Sequence, residues 1–136
     1  PVESTYIGAK SRSGSAGSTR EVVIGAEAIG NGSNTVTLGA PTNTGVFLNG
    51  GIIKTTETST TTATMSDSVY KHIGNSTTAY TVTLPTHLLD KEIFLLNRNT
   101  GRITLSPTSG TIKGAATQYL DQWESLILTS DGTDWI

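Results

Sequence analysis

Short apolar-polar alternations, each closed by a Gly, organise the first third of the chain. In Glu21–Ile24, Val22 and Ile24 share one face. In Thr35–Leu38, Val36 and Leu38 share one face while Thr35 and Thr37 point the other way. A period of two is the mark of half-buried strands. The unit recurs: Ile7-Gly8 returns as Ile24-Gly25 after seventeen residues and as Leu38-Gly39 after fourteen. Between the last two lies Gly30-Asn31-Gly32-Ser33-Asn34, rich in residues that accept positive φ. Each unit offers about two large apolar side chains, too little to offset a backbone ordering cost of about 1–2 kcal/mol per residue. Stacked units share a core, as in a β-solenoid. With so few units, further repeats before Pro1 or sister chains must complete it.

Downstream, Val46-Phe47-Leu48 and Ile52-Ile53 flank Asn49-Gly50-Gly51, a hairpin signal. Thr55–Thr64 holds seven Thr in ten positions and reads either as a flexible linker or as an extended strand pairing with a neighbour. The remainder predicts strands at Val69–Ile73, Tyr80–Leu84, Glu92–Asn97, Arg102–Ser106, Thr111–Lys113, Thr117–Leu120, Glu124–Thr129 and Thr133–Ile136. Ile93-Phe94-Leu95-Leu96 and Leu126-Ile127-Leu128 are continuous apolar runs, which suit strands covered on both faces. Turns fall at Asn99-Thr100-Gly101, Ser109-Gly110 and Asp131-Gly132. The one helical option is a turn or two in Pro85–Lys91. The resulting expectation is an all-β protein: a β-roll or solenoid-like repeat in residues 1–54, a Thr-rich connector in 55–65, and a compact β-sandwich or jelly-roll-like knob in 66–136.

Composition agrees with β structure and thin cores. There are 25 Thr, 14 Ser and 15 Gly, and hydrophobic residues make up only 35%. With 15% charged residues, a net charge of −2 and no basic run, the chain lacks the footprint of a nucleic-acid binder. No apolar stretch reaches the length of a membrane span, so no membrane insertion is expected. The absence of Cys excludes disulfides and thiolate zinc sites. Opening at Pro1 rather than Met reads as a piece of a longer protein.

Candidate chemistry is sparse. The acid pairs Asp90/Glu92, Asp121/Glu124 and Asp131/Asp134 fall in predicted turns or loops, and sequence proximity does not set the spacing a glycosidase needs. His72 and His87 lack metal-ligand spacing. His72 would share a face with Tyr70 and could line an axis between chains. No nucleophile elbow and no phosphate-binding loop is present. No cofactor, no metal and no enzymatic activity are expected. Aromatic side chains, whose amphipathic rings suit wet interfaces and sugar faces, are better candidates. Trp135 is expected to plug the core and Tyr80 to face it. Tyr119, Asp121, Gln122 and Trp123 surround a predicted loop, where binding residues gather.

Two resemblances rest on these residues. "VVIGAEAIGNGSNTVTLG" resembles the head repeats of trimeric autotransporter adhesins, and similar repeats occur in phage tail fibres; Val23 and Thr37 stand where those repeats usually have Ala. The segment from Thr78 to Ile136, with "TVTLP", "ITLSPTSGTIKG" and "DGTDW", is similar to phage fibre knobs. Together they imply a homotrimeric tail-fibre or tail-spike segment in the virion tail, joined to other virion tail proteins. They imply Val22, Ile24, Val36 and Leu38 at the trimer core. The implied task is attachment, without catalysis, to a bacterial surface glycan or protein, with avidity from repeated sites. The alternatives are a bacterial trimeric adhesin head, a capsule depolymerase fragment, and a purely structural fibre or collar joint.

Overall fold

A computed structural model of the chain describes residues 2–43 and 45–136. The described residues form strands, bridges and turns without a helix. They divide into two compact units, Pro1–Gly51 and Ile52–Ile136.

The first unit contains three parallel strands, β1 (Thr5–Ile7), β2 (Val22–Ile24) and β3 (Val36–Leu38). Their register follows the repeat: Ile7 lies opposite Ile24, and Ile24 opposite Leu38. Isolated parallel bridges join Val2 to Thr19 and Arg12 to Ile29, the same seventeen-residue step. The glycine closing each strand is obligatory. Gly8 has φ 126, and a Cβ there would sit 2.5 Å from the carbonyl carbon and oxygen of Gly25. Only Gly combines that backbone with that approach. The inward face carries Tyr6, Val23 and Thr37, and Val23 is fully buried together with Ala28 and Glu21. The Glu21 carboxylate accepts the Gly32 N–H at 2.9 Å and the Tyr6 hydroxyl proton at 3.0 Å.

The predicted hairpin around Asn49-Gly50-Gly51 does not form. Residues 46–53 carry no strand, and Phe47 and Ile53 are almost wholly exposed. A two-stranded hairpin without a sheet or helix to dock on is marginal in water.

In the second unit the first six strands alternate between two sheets, the seventh stays in the sheet of the sixth, and the eighth returns to the other. The chain runs β4 (Thr56–Ser59), β5 (Ala63–Thr64), β6 (Lys71–Gly74), β7 (Tyr80–Thr83), β8 (Glu92–Asn97), β9 (Ile103–Ser106), β10 (Gln118–Leu120) and β11 (Ser125–Thr129). One sheet has the order β11-β8-β6-β4 and the other β10-β9-β7-β5. The pairs β4/β6, β6/β8, β5/β7 and β7/β9 are parallel; β8/β11 and β9/β10 are antiparallel. A jelly roll is antiparallel throughout, so that expectation does not describe this winding. The Thr-rich segment supplies two edge strands, β4 and β5, rather than a free connector. Thr suits this role because its β-branched side chain favours extended backbone.

One core lies between the sheets. Tyr80, Val82, Ile103, Leu105 and Leu120 come from one sheet and Ile93, Leu95 and Leu128 from the other, joined by Met65, Leu84, Ile112 and Trp135. The expected strands Thr111–Lys113 and Thr133–Ile136 shrink to bridges, Ile112 pairing with Ala115 and Trp135. Pro85–Lys91 makes no helix: Asp67 takes both the N–H and the hydroxyl proton of Thr86, and Asp90 sits at φ 61, which a right-handed helix excludes. The apolar runs are not covered on both faces within the chain. Ile93, Leu95 and Leu128 are buried, Phe94, Leu96 and Leu126 half-buried, and Ile127 exposed.

Three carboxylates are held below their ordinary values. The Gly32 N–H does this for Glu21, against the opposing effect of burial. The hydroxyl and N–H of Thr86 do so for Asp67, and the N–H groups of Asp134 and Thr133 for Asp131. A depressed folded-state pKa means the unfolded chain binds protons first, so stability rises with pH through this region. The contribution is complete above the ordinary values of 4.5 for Glu and 3.8 for Asp and is lost as pH falls through the lower folded values. Urea midpoints should therefore be flat from pH 8 to about pH 6 and fall below about pH 4. A midpoint that rose on acidification would contradict these bonds.

Candidate functional site

Of the residues singled out for ligand contact, Tyr119, Asp121, Gln122 and Trp123 all lie on the surface of the second unit, at the crossing from β10 to β11. Strand alternation turns Leu120 inward and Tyr119 outward, 56% exposed. The β9/β10 register sets Leu120 opposite Ile103, which brings Asp121 beside Arg102. Arg102 donates from Nε to one Asp121 oxygen at 2.7 Å and from Nη2 to the other at 3.3 Å. Its guanidinium carbon lies 5.6 Å from the Tyr119 ring centre. The Asp121 hydrogen bond, and then its charge, push the Arg102 pKa further up. The guanidinium is thus a fixed cation between a ring and a carboxylate.

The turn itself is rigid. Glu124 accepts the Asp121 N–H at 2.8 Å, and the Glu124 N–H returns to the Asp121 carbonyl at 3.0 Å. Buried Asn97 holds the turn from the core side. Its side-chain amide donates to the carbonyls of Gly101 and Leu120, and its carbonyl accepts the Trp123 N–H at 2.7 Å. Trp123 is 66% exposed and has φ 66. A bulky residue in the left-handed region is an outlier that costs on the order of 1–3 kcal/mol. Gln122 is exposed beside it. Tyr119, Arg102 and Asp121 form one contact group; Gln122 and Trp123 form the adjoining tip. The sequence reading missed Arg102. Its only signal was alternation with Ile103, and register alone reveals its partner.

The four residues assigned to a trimer core lie in the first unit. Val22 faces Val36, and Ile24 stands between Ile7 and Leu38. Their side chains point away from buried Val23. Ile24 is 38% exposed, and Ile7, Val36 and Leu38 are more so. The sheet therefore has an apolar outer ladder. A cavity of about 510 Å³ in the same unit is lined by Tyr6 and the Ser11–Gly17 loop, a feature without a sequence signal.

The histidines are placed otherwise than a shared axis requires. His72 is 1% exposed and faces the core, because β6 pairs it with Glu57 on the inward side. Its Nδ1 lies 2.7 Å from Glu57 Oε1 and its Nε2 2.9 Å from Ser59 Oγ. Acid, imidazole and hydroxyl stand in the order of a hydrolase triad. Here the Ser59 hydroxyl also meets the Tyr80 hydroxyl at 3.2 Å, so the chain of bonds ties edge strand β4 to the core. His87 stacks at a tilt on Trp135, with ring centres 5.3 Å apart.

The acid pairs have structural partners. Asp131 accepts the N–H groups of Thr133 and Asp134, Asp134 bonds Thr111, and Glu92 accepts the Tyr70 hydroxyl proton. Among the described residues no group of three or more His, Asp or Glu is arranged to hold a metal, and no helix is long and apolar enough to cross a membrane. No protein-family model, curated protein or solved structure matches this chain.

Proposed function

We propose that the chain is a segment of a homotrimeric attachment fibre of the phage tail type, which binds a bacterial surface glycan without transforming it. The observation that carries this reading is the outward apolar ladder of the first unit. A three-stranded parallel sheet that turns Ile7, Ile24 and Leu38 to one side leaves a hydrophobic strip that sister copies would cover. Stacked strands give length, and repeated copies give avidity to weak individual sites.

The glycan site in this reading is the β10–β11 crossing. Tyr119 and Trp123 supply rings for sugar faces, and the Arg102–Asp121 pair and Gln122 supply directional polar groups. Trp123 stands 66% exposed on a turn where its backbone N–H is held by the Asn97 carbonyl, so it is presented outward rather than packed away. The test is binding of the full chain to an array of bacterial surface polysaccharides. Tyr119→Ala and Trp123→Gly should each weaken binding by about tenfold or more, the loss typical of aromatic anchors. Trp123→Gly should leave thermal stability unchanged or raised, because Gly relieves the left-handed strain. Undiminished binding by both variants would remove the site.

A further inference from the structure

The two sheets of the second unit present unlike outer faces. Outward on the β9 sheet stand Thr81, Thr83, Thr104 and Ser106 beside Tyr119, a face of hydroxyls. Outward on the β8 sheet, register sets Ile127 opposite Phe94 and Leu96 opposite Ile73. Four large apolar side chains thus adjoin, with Ile127 55% exposed and the other three half-buried. This explains why the β8 and β11 runs are apolar without alternation. Strands of that composition are covered on both sides, and the chain itself covers one.

The charges around this patch indicate its occupant. Glu92 precedes Phe94 on the outward face, 3.7 Å from Lys54. Lys71 Nζ lies 5.2 Å from the Phe94 ring centre. Past the other end of β8, Arg98 is exposed and in no ion pair among the described residues, close to the exposed Glu124, whose carbonyl bonds the Asn97 N–H. Both signs occur around the apolar centre, so the rim is complementary to itself. A strongly acidic or basic partner would meet like charge at one end. We infer that a second copy of this chain docks on the outward face of the β8 sheet, burying Ile73, Phe94, Leu96 and Ile127. The inference rests on the homotrimer reading and deepens it, placing a contact between copies in the second unit as well as the first.

The chain contains no Cys, so one introduced thiol reports on one position. Ile127→Cys probes the patch, and Thr81→Cys, on the hydroxyl face, is the reference. Each is labelled with a maleimide while light scattering records the mass. In the assembled chain Cys at 127 should react about tenfold more slowly than Cys at 81, because a thiol buried among apolar groups is inert. Where dilution yields monomers by light scattering that remain folded by circular dichroism, the two rates should converge. Leu96→Cys repeats the measurement in case the change at 127 itself weakens assembly. A lowered mass for the 127 variant alone, with unchanged circular dichroism, also supports the contact. Equal rates in a chain that is still trimeric would overturn the inference and leave the trimer standing. A native chain of monomer mass would overturn both.

Discussion

Trp135→Ala should unfold the second unit or bring it close to unfolding, at a cost of about 3–5 kcal/mol. A unit spanning Ile52–Ile136 has about 4–13 kcal/mol in total, at the usual stability per residue. The cost is large because Trp135 is the largest fully buried side chain of the unit. The side chain is fully buried within the core shared by the two sheets. The Trp135 backbone N–H donates to the Thr111 carbonyl, and the Trp135 backbone carbonyl accepts the Lys113 N–H at 2.7 Å, so the backbone on which the indole is mounted is itself held in place. Removing the indole leaves a cavity in this core, beside His87, that close-packed neighbours cannot readily fill. Trp135→Phe should cost less than half as much. It keeps an aromatic ring, and it discards an indole N–H that has no acceptor within the protein, a donor whose burial is itself unfavourable. Urea titration followed by Trp123 fluorescence and circular dichroism measures both. An alanine variant within about 1 kcal/mol of the native chain would show that the unit does not depend on this side chain.

Ile24→Asp should abolish assembly while leaving the second unit folded. Ile24 is the middle rung of the Ile7–Ile24–Leu38 ladder, so three copies meeting there would bring three carboxylates into an apolar contact. An uncompensated buried charge costs about 3–5 kcal/mol, which lowers an association constant by about two to three and a half orders of magnitude at about 1.4 kcal/mol per tenfold. Lys10→Ala is the matched control. It removes the 3.3 Å Lys10–Glu27 pair, whose side chains are both largely exposed. Such pairs contribute about 0–1 kcal/mol, and the mass should not change. If Ile24→Asp assembled like the native chain, the ladder would be a solvent face with some other role.

The sequence carried much of this architecture through local signals. Spacings of seventeen and fourteen residues between Gly-closed strands became the registers Ile7–Ile24 and Ile24–Leu38, since a parallel stack converts sequence period directly into pairing. Alternation placed Tyr80 on the core face, and the expectation that Trp135 plugs the core after the Asp131-Gly132 turn agrees with its full burial. What escaped was long-range pairing. Nothing local distinguishes the Thr-rich β4 and β5 from a linker, because their place is fixed by partners in β6 and β7. The alternation of strands between two sheets, and the parallel sense it forces, is likewise invisible in strand propensity. His72, expected to share a face with Tyr70 and to line an axis between chains, is instead buried and held by Glu57, fifteen residues earlier, a partner that only the β4/β6 register reveals. The site was half legible: the exposed loop aromatics and Asp121 stood out by type, whereas Arg102 joins them only through the β9/β10 register.

The most direct measurement is the mass of the purified full chain in solution, by light scattering after size exclusion. A particle of three times 14.2 kDa that persists in mild denaturant is the outcome that the outward apolar ladder requires. A stable, well-folded monomer would contradict it, because Ile7, Ile24, Val36 and Leu38 would then face water with no sister chain to cover them.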